Sequence, residues 1–121
     1  MSSIQPRVQR LRRFTAPMHI RQKFAHAHVS KELKEKSGIK KRAVQVRKGD
    51  IVKVMSGKYR GKGGKVNIIN LKRNTLQIEG IVRKNSKGKE KMIPIQISTV
   101  YITEFDLSDK LRRENLGIAQ K

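Results

Sequence analysis

The spacing of apolar positions changes twice along the chain. Residues 1–13 are polar and basic, contain Pro6 and show no period, so they read as an extended arm. Such a segment cannot bury enough surface by itself to offset its ordering entropy. Thr15-Ala16-Pro17 looks like a helix start, with Thr15 as cap and Pro17 near the first turn; Met18, Arg21, Gln22 and Ala25 follow at helical spacing. Ser30 is placed to cap a second short helix over Lys31 to Lys36, and Gly38 to end it. Helices this short are marginal without a surface to lie on.

From Ile39 the period becomes two. Val44 and Val46, then Ile51-Val52-Lys53-Val54, alternate or nearly so and are rich in β-branched residues. A glycine-rich loop follows from Ser56 to Gly64. Val66, Ile68 and Ile69 mark a second strand, Asn70 to Asn74 a polar turn, and Thr75-Leu76-Gln77-Ile78-Glu79 a third strand. Ile81-Val82 extends it past Gly80, where a missing side chain suits a bend or bulge. Asn85-Ser86-Lys87-Gly88 predicts a hairpin turn, Met92 to Ile97 and Val100 to Thr103 the last strands, and Ser108 the cap of a short helix through Leu116, ended by Gly117. Five short strands with tight turns in about 60 residues predict a small barrel or rolled sheet. A body of that size has a thin core, which suits a protein stabilised in part by its partner. No internal repeat is evident.

Charge sharpens this picture. The 121 residues hold 30 Lys and Arg against 9 acids, a formal net charge of +21. Residues 1–48 carry a net +12, residues 49–105 a net +8 and residues 106–121 a net +1. The folded middle is therefore cationic too, and both halves are suited to a polyanion, with nucleic acid ahead of an anionic membrane surface. Cysteine is absent, which excludes disulfides and thiolate metal sites. No apolar run approaches the ~20 residues of a membrane span. The arginines near the start are not followed by a signal-peptide core, although they would suit a mitochondrial presequence. A soluble intracellular protein is expected.

The segment Gly49 to Val66 reads as strand, cationic glycine loop, strand. Glycines at 57, 61 and 64 permit positive φ and close approach of backbone amides, or simply make a tight turn. Lys58, Arg60, Lys62 and Lys65 crowd positive charge around those amides, and Tyr59 offers a ring for stacking. The Gly-Lys-Ser/Thr pattern opening a helix is missing, so this is not a nucleotide-binding P-loop. His19, His26 and His28, expected in or beside the first helix, lack carboxylate or cysteine company, and no acid pair lies near a nucleophile candidate. The sequence offers no enzyme site, cofactor site or metal site.

The Gly49–Val66 stretch resembles a KOW motif, shared by certain ribosomal proteins and NusG-type elongation factors. The flanks decide between them. Thr15-Ala16-Pro17-Met18-His19-Ile20-Arg21, Ser30-Lys31-Glu32-Leu33, Ile78-Glu79-Gly80-Ile81, Val100-Tyr101-Ile102-Thr103 and Leu107 to Arg112 resemble the universal L-twenty-four family of the large ribosomal subunit, in its archaeal and eukaryotic branch (L-twenty-six in eukaryotes). The likeness covers nearly the whole chain. Gln96-Ile97-Ser98-Thr99 stands where that branch is expected to have His-Pro-Ser-Asn. The long lysine-rich tail of eukaryotic members is missing, which points to an archaeal-type protein.

The resemblance implies a mainly β fold: a small SH3-like barrel over residues 43–105, a basic N-terminal extension with two short helices over 1–42, and a C-terminal helix and tail over 106–121. It implies a cytoplasmic, ribosome-bound structural protein that binds large-subunit RNA near its 5′ region, early in assembly, close to the peptide exit tunnel. Neighbouring ribosomal proteins and exit-tunnel factors are the other implied partners, with neither membrane insertion nor a small-molecule substrate. Candidate RNA contacts are Lys58, Tyr59, Arg60, Lys62 and Lys65 on the loop and Arg7, Arg10, Arg12, Arg13 and Arg21 in the extension. Lys40, Lys41 and Arg42 continue the track, and Arg83 and Lys84, with Lys87 and Lys89, form a second one that reads equally as a solvated turn. A free KOW-type transcription or RNA-processing factor is the alternative. A membrane-surface protein is a further rival, opposed by the His19, Arg21 and Lys23 that interrupt the first helix.

Overall fold

A computed structural model describes residues 3–117; the tail expected after Gly117 lies outside them. Three helices and seven strands precede a final helix: α1 (Pro6–Thr15), α2 (Met18–Phe24), β1 (His26–Val29), α3 (Lys31–Ser37), β2 (Ala43–Gln45), β3 (Ile51–Val54), β4 (Gly63–Asn70), β5 (Thr75–Lys84), β6 (Glu90–Gln96), β7 (Val100–Glu104) and α4 (Lys110–Leu116). A single 3-10 turn, Ile97–Thr99, joins β6 to β7.

The strands make one sheet in the order β2-β1-β7-β3-β4-β5-β6. All neighbours are antiparallel except β1 and β7, which pair in parallel through His28–Tyr101 and Val29–Ile102. Alternation decides which side is covered. Val52 and Val54 of β3, Val100 and Ile102 of β7, and Ala27 and Val29 of β1 all turn to the inner face. There they meet Val66, Leu76, Ile78, Ile81, Ile95 and Ile97. Gly80, at φ 87°, bends β5 between its two β6-paired halves, and the register shifts between Gln77 and Val82.

Several expectations are corrected. The expected small SH3-like barrel is, in its strand pairing, an open seven-stranded sheet: among the described residues no pairing joins β2 to β6. Both edges are unsuited to closure. Pro94 in β6 has no backbone N–H to give, and β2 is three residues long with the Gln45 carbonyl already accepting from Arg112 Nη2 at 3.1 Å. The fold is accordingly mixed α/β rather than mainly β. The arm expected to be extended contains a ten-residue helix, α1, beginning at Pro6 with Pro at its first turn. Thr15, expected to cap the next helix, instead ends α1, its hydroxyl donating to the Leu11 carbonyl at 2.8 Å, and α2 is preceded by Pro17 without a side-chain cap. His26 and His28, expected in or beside the first helix, lie beside it on β1, since α2 stops at Phe24.

Other local signals hold. Ser30 Oγ accepts from Leu33 N at 3.2 Å and Gly38 takes φ 66°, so α3 begins and ends where those residue types allow. Gly88 N donates to the Asn85 carbonyl at 2.9 Å, closing the β5–β6 hairpin. At the last helix the cap is Asp109, which accepts from Leu111 N, one residue beyond the expected Ser108.

Candidate nucleic-acid interface

The β3–β4 connection is held as a stiff loop. Val54 N donates to the Lys62 carbonyl and Gly61 N to the Val54 carbonyl, both at 2.8 Å, while Lys62 N reaches the Tyr59 carbonyl at 3.1 Å. Gly57 and Gly61 supply the positive φ (91° and 86°) that this path needs. Gly63 and Gly64 serve a different purpose. A Cβ on Gly63 would lie 2.8 Å from the Val52 carbonyl oxygen, and one on Gly64 2.5 Å from that of Glu79. Their role is to let β4 pass close to its neighbours.

Lys58, Arg60 and Lys62 are exposed on this loop, which contains no acid between Met55 and Lys62. Tyr59 is half-buried, leaning on the core, and the Lys58 and Lys62 ammonium groups sit 5.9 and 5.4 Å from its ring centroid. The ring is thus a floor under two cations. Lys65 is exposed on β4 opposite Ile51, further down the ladder from the loop.

The remaining candidates separate into free and engaged cations. Arg7 and Arg10 are exposed on α1, as are Lys40 and Arg42 ahead of β2. Arg12 and Arg13 both approach the Phe24 ring of α2. Arg21 turns inward, its Nη2 donating to the Phe14 carbonyl at 2.6 Å and fixing the end of α1 against α2. Lys41 Nζ donates to the Asn115 carbonyl at 2.9 Å, so it ties the chain before β2 to α4. On the hairpin, Arg83 stands directly across from Lys91 and Lys84 from Glu90. Like charges facing each other across a ladder destabilise it unless an anion lies between.

The sequence reading missed the polar centre that fixes α4. Asp50, fully buried, accepts from Arg112 Nη1 at 2.5 Å and Nη2 at 2.6 Å, and from the backbone N–H of Arg47 and of Asp106 at 2.9 Å each. Arg112, 5% exposed, also donates to the Asp106 and Gln45 carbonyls and lies 5.3 Å from the Phe105 ring centroid. Two residues 62 positions apart leave no local signal of such a pair. Nearby, the side-chain hydrogen bond from Arg47, at 2.7 Å, and the Leu111 N–H hold the Asp109 carboxyl below its ordinary value. The Asp106 carboxyl is likewise held down, chiefly by hydrogen bonds from Ser108.

The His28 ring meets Tyr101 edge-on with centroids 5.7 Å apart, and no group of three metal-ligating side chains converges among the described residues.

Residues 3–118 match the family model that describes the ribosomal proteins called L26 in eukaryotes and L-twenty-four-P in archaea. The large ribosomal subunit protein uL24 of Saccharolobus solfataricus is 45% identical over 121 residues, covering all of both chains. That of Methanothrix thermoacetophila is 46% identical over 94% of this chain and 97% of its own. The Pyrobaculum islandicum protein of the same name is 44% identical over 93% of this chain and 90% of its own. With a family model spanning almost the full length and relatives aligned over nine-tenths or more of both chains, the chain belongs to the uL24 family of large-ribosomal-subunit proteins, in its archaeal and eukaryotic branch, and is a structural protein rather than an enzyme.

Proposed function

We propose that this protein binds the RNA of the large ribosomal subunit near its 5′ region, early in subunit assembly, and stays at the subunit surface around the peptide exit. It acts there as a cytoplasmic, ribosome-bound constituent beside neighbouring ribosomal proteins and factors visiting the exit. Residues 43–105 form the binding body, 1–42 the basic extension and 106–121 the closing helix and tail.

The observation that carries this reading is the β3–β4 loop. Its backbone is pinned by its own hydrogen bonds, so Lys58, Arg60 and Lys62 are held close together without an acid among them. Such a cluster costs electrostatic energy in the free protein and recovers it against phosphates. The hairpin cations Arg83 and Lys84, with Lys91 facing Arg83, extend the same logic to a second contact. Phosphate contacts position a protein without reading sequence, so affinity resides in these side chains and specificity in the shape of the RNA.

The test is binding of large-subunit RNA by the full chain across a salt series. Replacing Lys58, Arg60 and Lys62 together with Ala should weaken binding and lower the slope of log K against log salt by about 0.7–0.9 per lost phosphate contact. All three are exposed, so the fold should survive. An unchanged slope would remove the loop from the interface. In extracts, the protein should sediment with the large subunit through a high-salt wash.

A further inference from the structure

We infer that Phe24, with Arg12 and Arg13, forms a slot for one unpaired nucleotide of RNA, its base against the aromatic ring and its phosphate between the two guanidinium groups. The inference rests on the RNA-binding reading above and adds to it a site and a ligand class: a splayed single-stranded nucleotide, not a duplex backbone.

Phe24 ends α2, and Ala25, fully buried, follows it into the sheet, so the backbone that carries the ring is anchored at the core. The ring itself is only half-buried. Arg12 and Arg13 come to it from α1, their guanidinium carbons 5.8 and 5.6 Å from its centroid. Adjacent helix residues point about 100° apart. Both nevertheless reach one ring, so the two side chains converge on it from α1. Arg21 secures that arrangement through the Phe14 carbonyl.

Among the described residues the two cations have no counterion. Glu32 is the first acid in the chain, and among the described residues both ion pairs, Arg47–Asp109 and Asp50–Arg112, lie elsewhere. Ring attraction draws each guanidinium in, yet brings two like charges together. An anion between them resolves the conflict. The lining, Gln9, Arg12, Arg13 and Phe24, encloses an open cavity of about 250 Å³. A free phosphate would leave the aromatic ring unused. A nucleotide uses both parts, because bases freed from pairing stack on aromatic rings and on guanidinium planes.

The experiment compares binding of a single-stranded adenine oligonucleotide with binding of an RNA duplex of equal length, using the full chain. Phe24→Leu should weaken single-strand binding by roughly 5- to 150-fold, the range for loss of one base–aromatic stack, and leave duplex binding and the salt slope nearly unchanged. Phe24→Tyr should restore it. Arg12→Ala with Arg13→Ala, on a helix that buries no residue, should lower the single-strand salt slope by about 0.7, the share of the one phosphate they hold, and this variant tests the slot even if Phe24→Leu fails to fold. Equal losses for single strand and duplex would show that Phe24 only braces α1, and unchanged single-strand binding in all variants would likewise overturn the slot. If the unaltered protein bound neither RNA with a salt-dependent affinity, the RNA-binding reading itself would fall.

Discussion

Asp50 decides how the C-terminal helix is held. Its carboxylate is taken out of water and compensated by two Arg112 nitrogens and two backbone N–H groups. Such a pair contributes little beyond a well-packed apolar substitute, but removing one partner strands the other. Arg112→Met should therefore cost about 3–5 kcal/mol in urea denaturation, and Asp50→Asn combined with Arg112→Met should cost clearly less than the two single losses added. A loss below about 1 kcal/mol for Arg112→Met would mean that water reaches the carboxylate and the pair is peripheral. Gly49 sits beside this centre for a steric reason: at φ 99°, a Cβ there would come 2.6 Å from Asp106 Oδ2.

Helix α4 depends on the same region through an exposed set of groups. Asp109 both caps the helix at Leu111 N and pairs with Arg47, and its carboxyl is held below the ordinary value of 3.8. A depressed carboxyl pKa favours the folded form fully above the unfolded value and ceases to do so as pH falls through the folded one. The opening equilibrium of the Lys110–Leu116 amides, read from exchange corrected for the intrinsic rate at each pH, should thus be pH-independent near neutrality and rise below about 3.8, while Asp109→Asn should show the larger opening already at neutral pH. Identical protection in both proteins at neutral pH would remove Asp109 from the docking of α4. What was legible in advance at this scale follows locality. Ser30 and Gly38 bounded α3, and alternation located β3, β5 and β7, because caps, glycine stops and period-two burial are written in adjacent residues. Helix α1 was hidden because it buries no residue, so its apolar positions carry no core-facing period. Strand β1 was hidden because Met18 to Ala25 already satisfied a helical spacing, and its place comes from pairings the local sequence does not show, with β2 and, more than seventy residues away, with β7. The loop cations were legible as a group; that Arg21 and Lys41 would turn to backbone carbonyls was not, since their partners Phe14 and Asn115 are brought there by the fold.

On the scale of the whole molecule, a net charge of +21 on 121 residues is balanced internally by very little. The thin core under β1, β3, β5 and β7 must hold the sheet together against the mutual repulsion of the loop, the hairpin and α1. Two remedies are available from solution, and they differ in kind. Small ions screen, with a Debye length of about 10 Å at 0.1 M, and so act on every exposed cation alike. A polyanion that binds the folded arrangement adds linkage stabilisation, about 2.7 kcal/mol at one hundred times its dissociation constant. For a chain of this size that is a rise in Tm on the order of 10 °C. Thermal unfolding with large-subunit RNA at low salt should show this rise, well above that from sodium chloride of equal ionic strength, and the Lys58→Ala, Arg60→Ala, Lys62→Ala protein should lose a large part of the difference. Equal rises from RNA and salt would mean that relief of self-repulsion explains the whole effect and that the folded surface holds no built phosphate site. A fall in Tm with RNA would mean that the polyanion prefers the unfolded, equally basic chain, and that the spacing of cations set by the sheet contributes nothing to recognition.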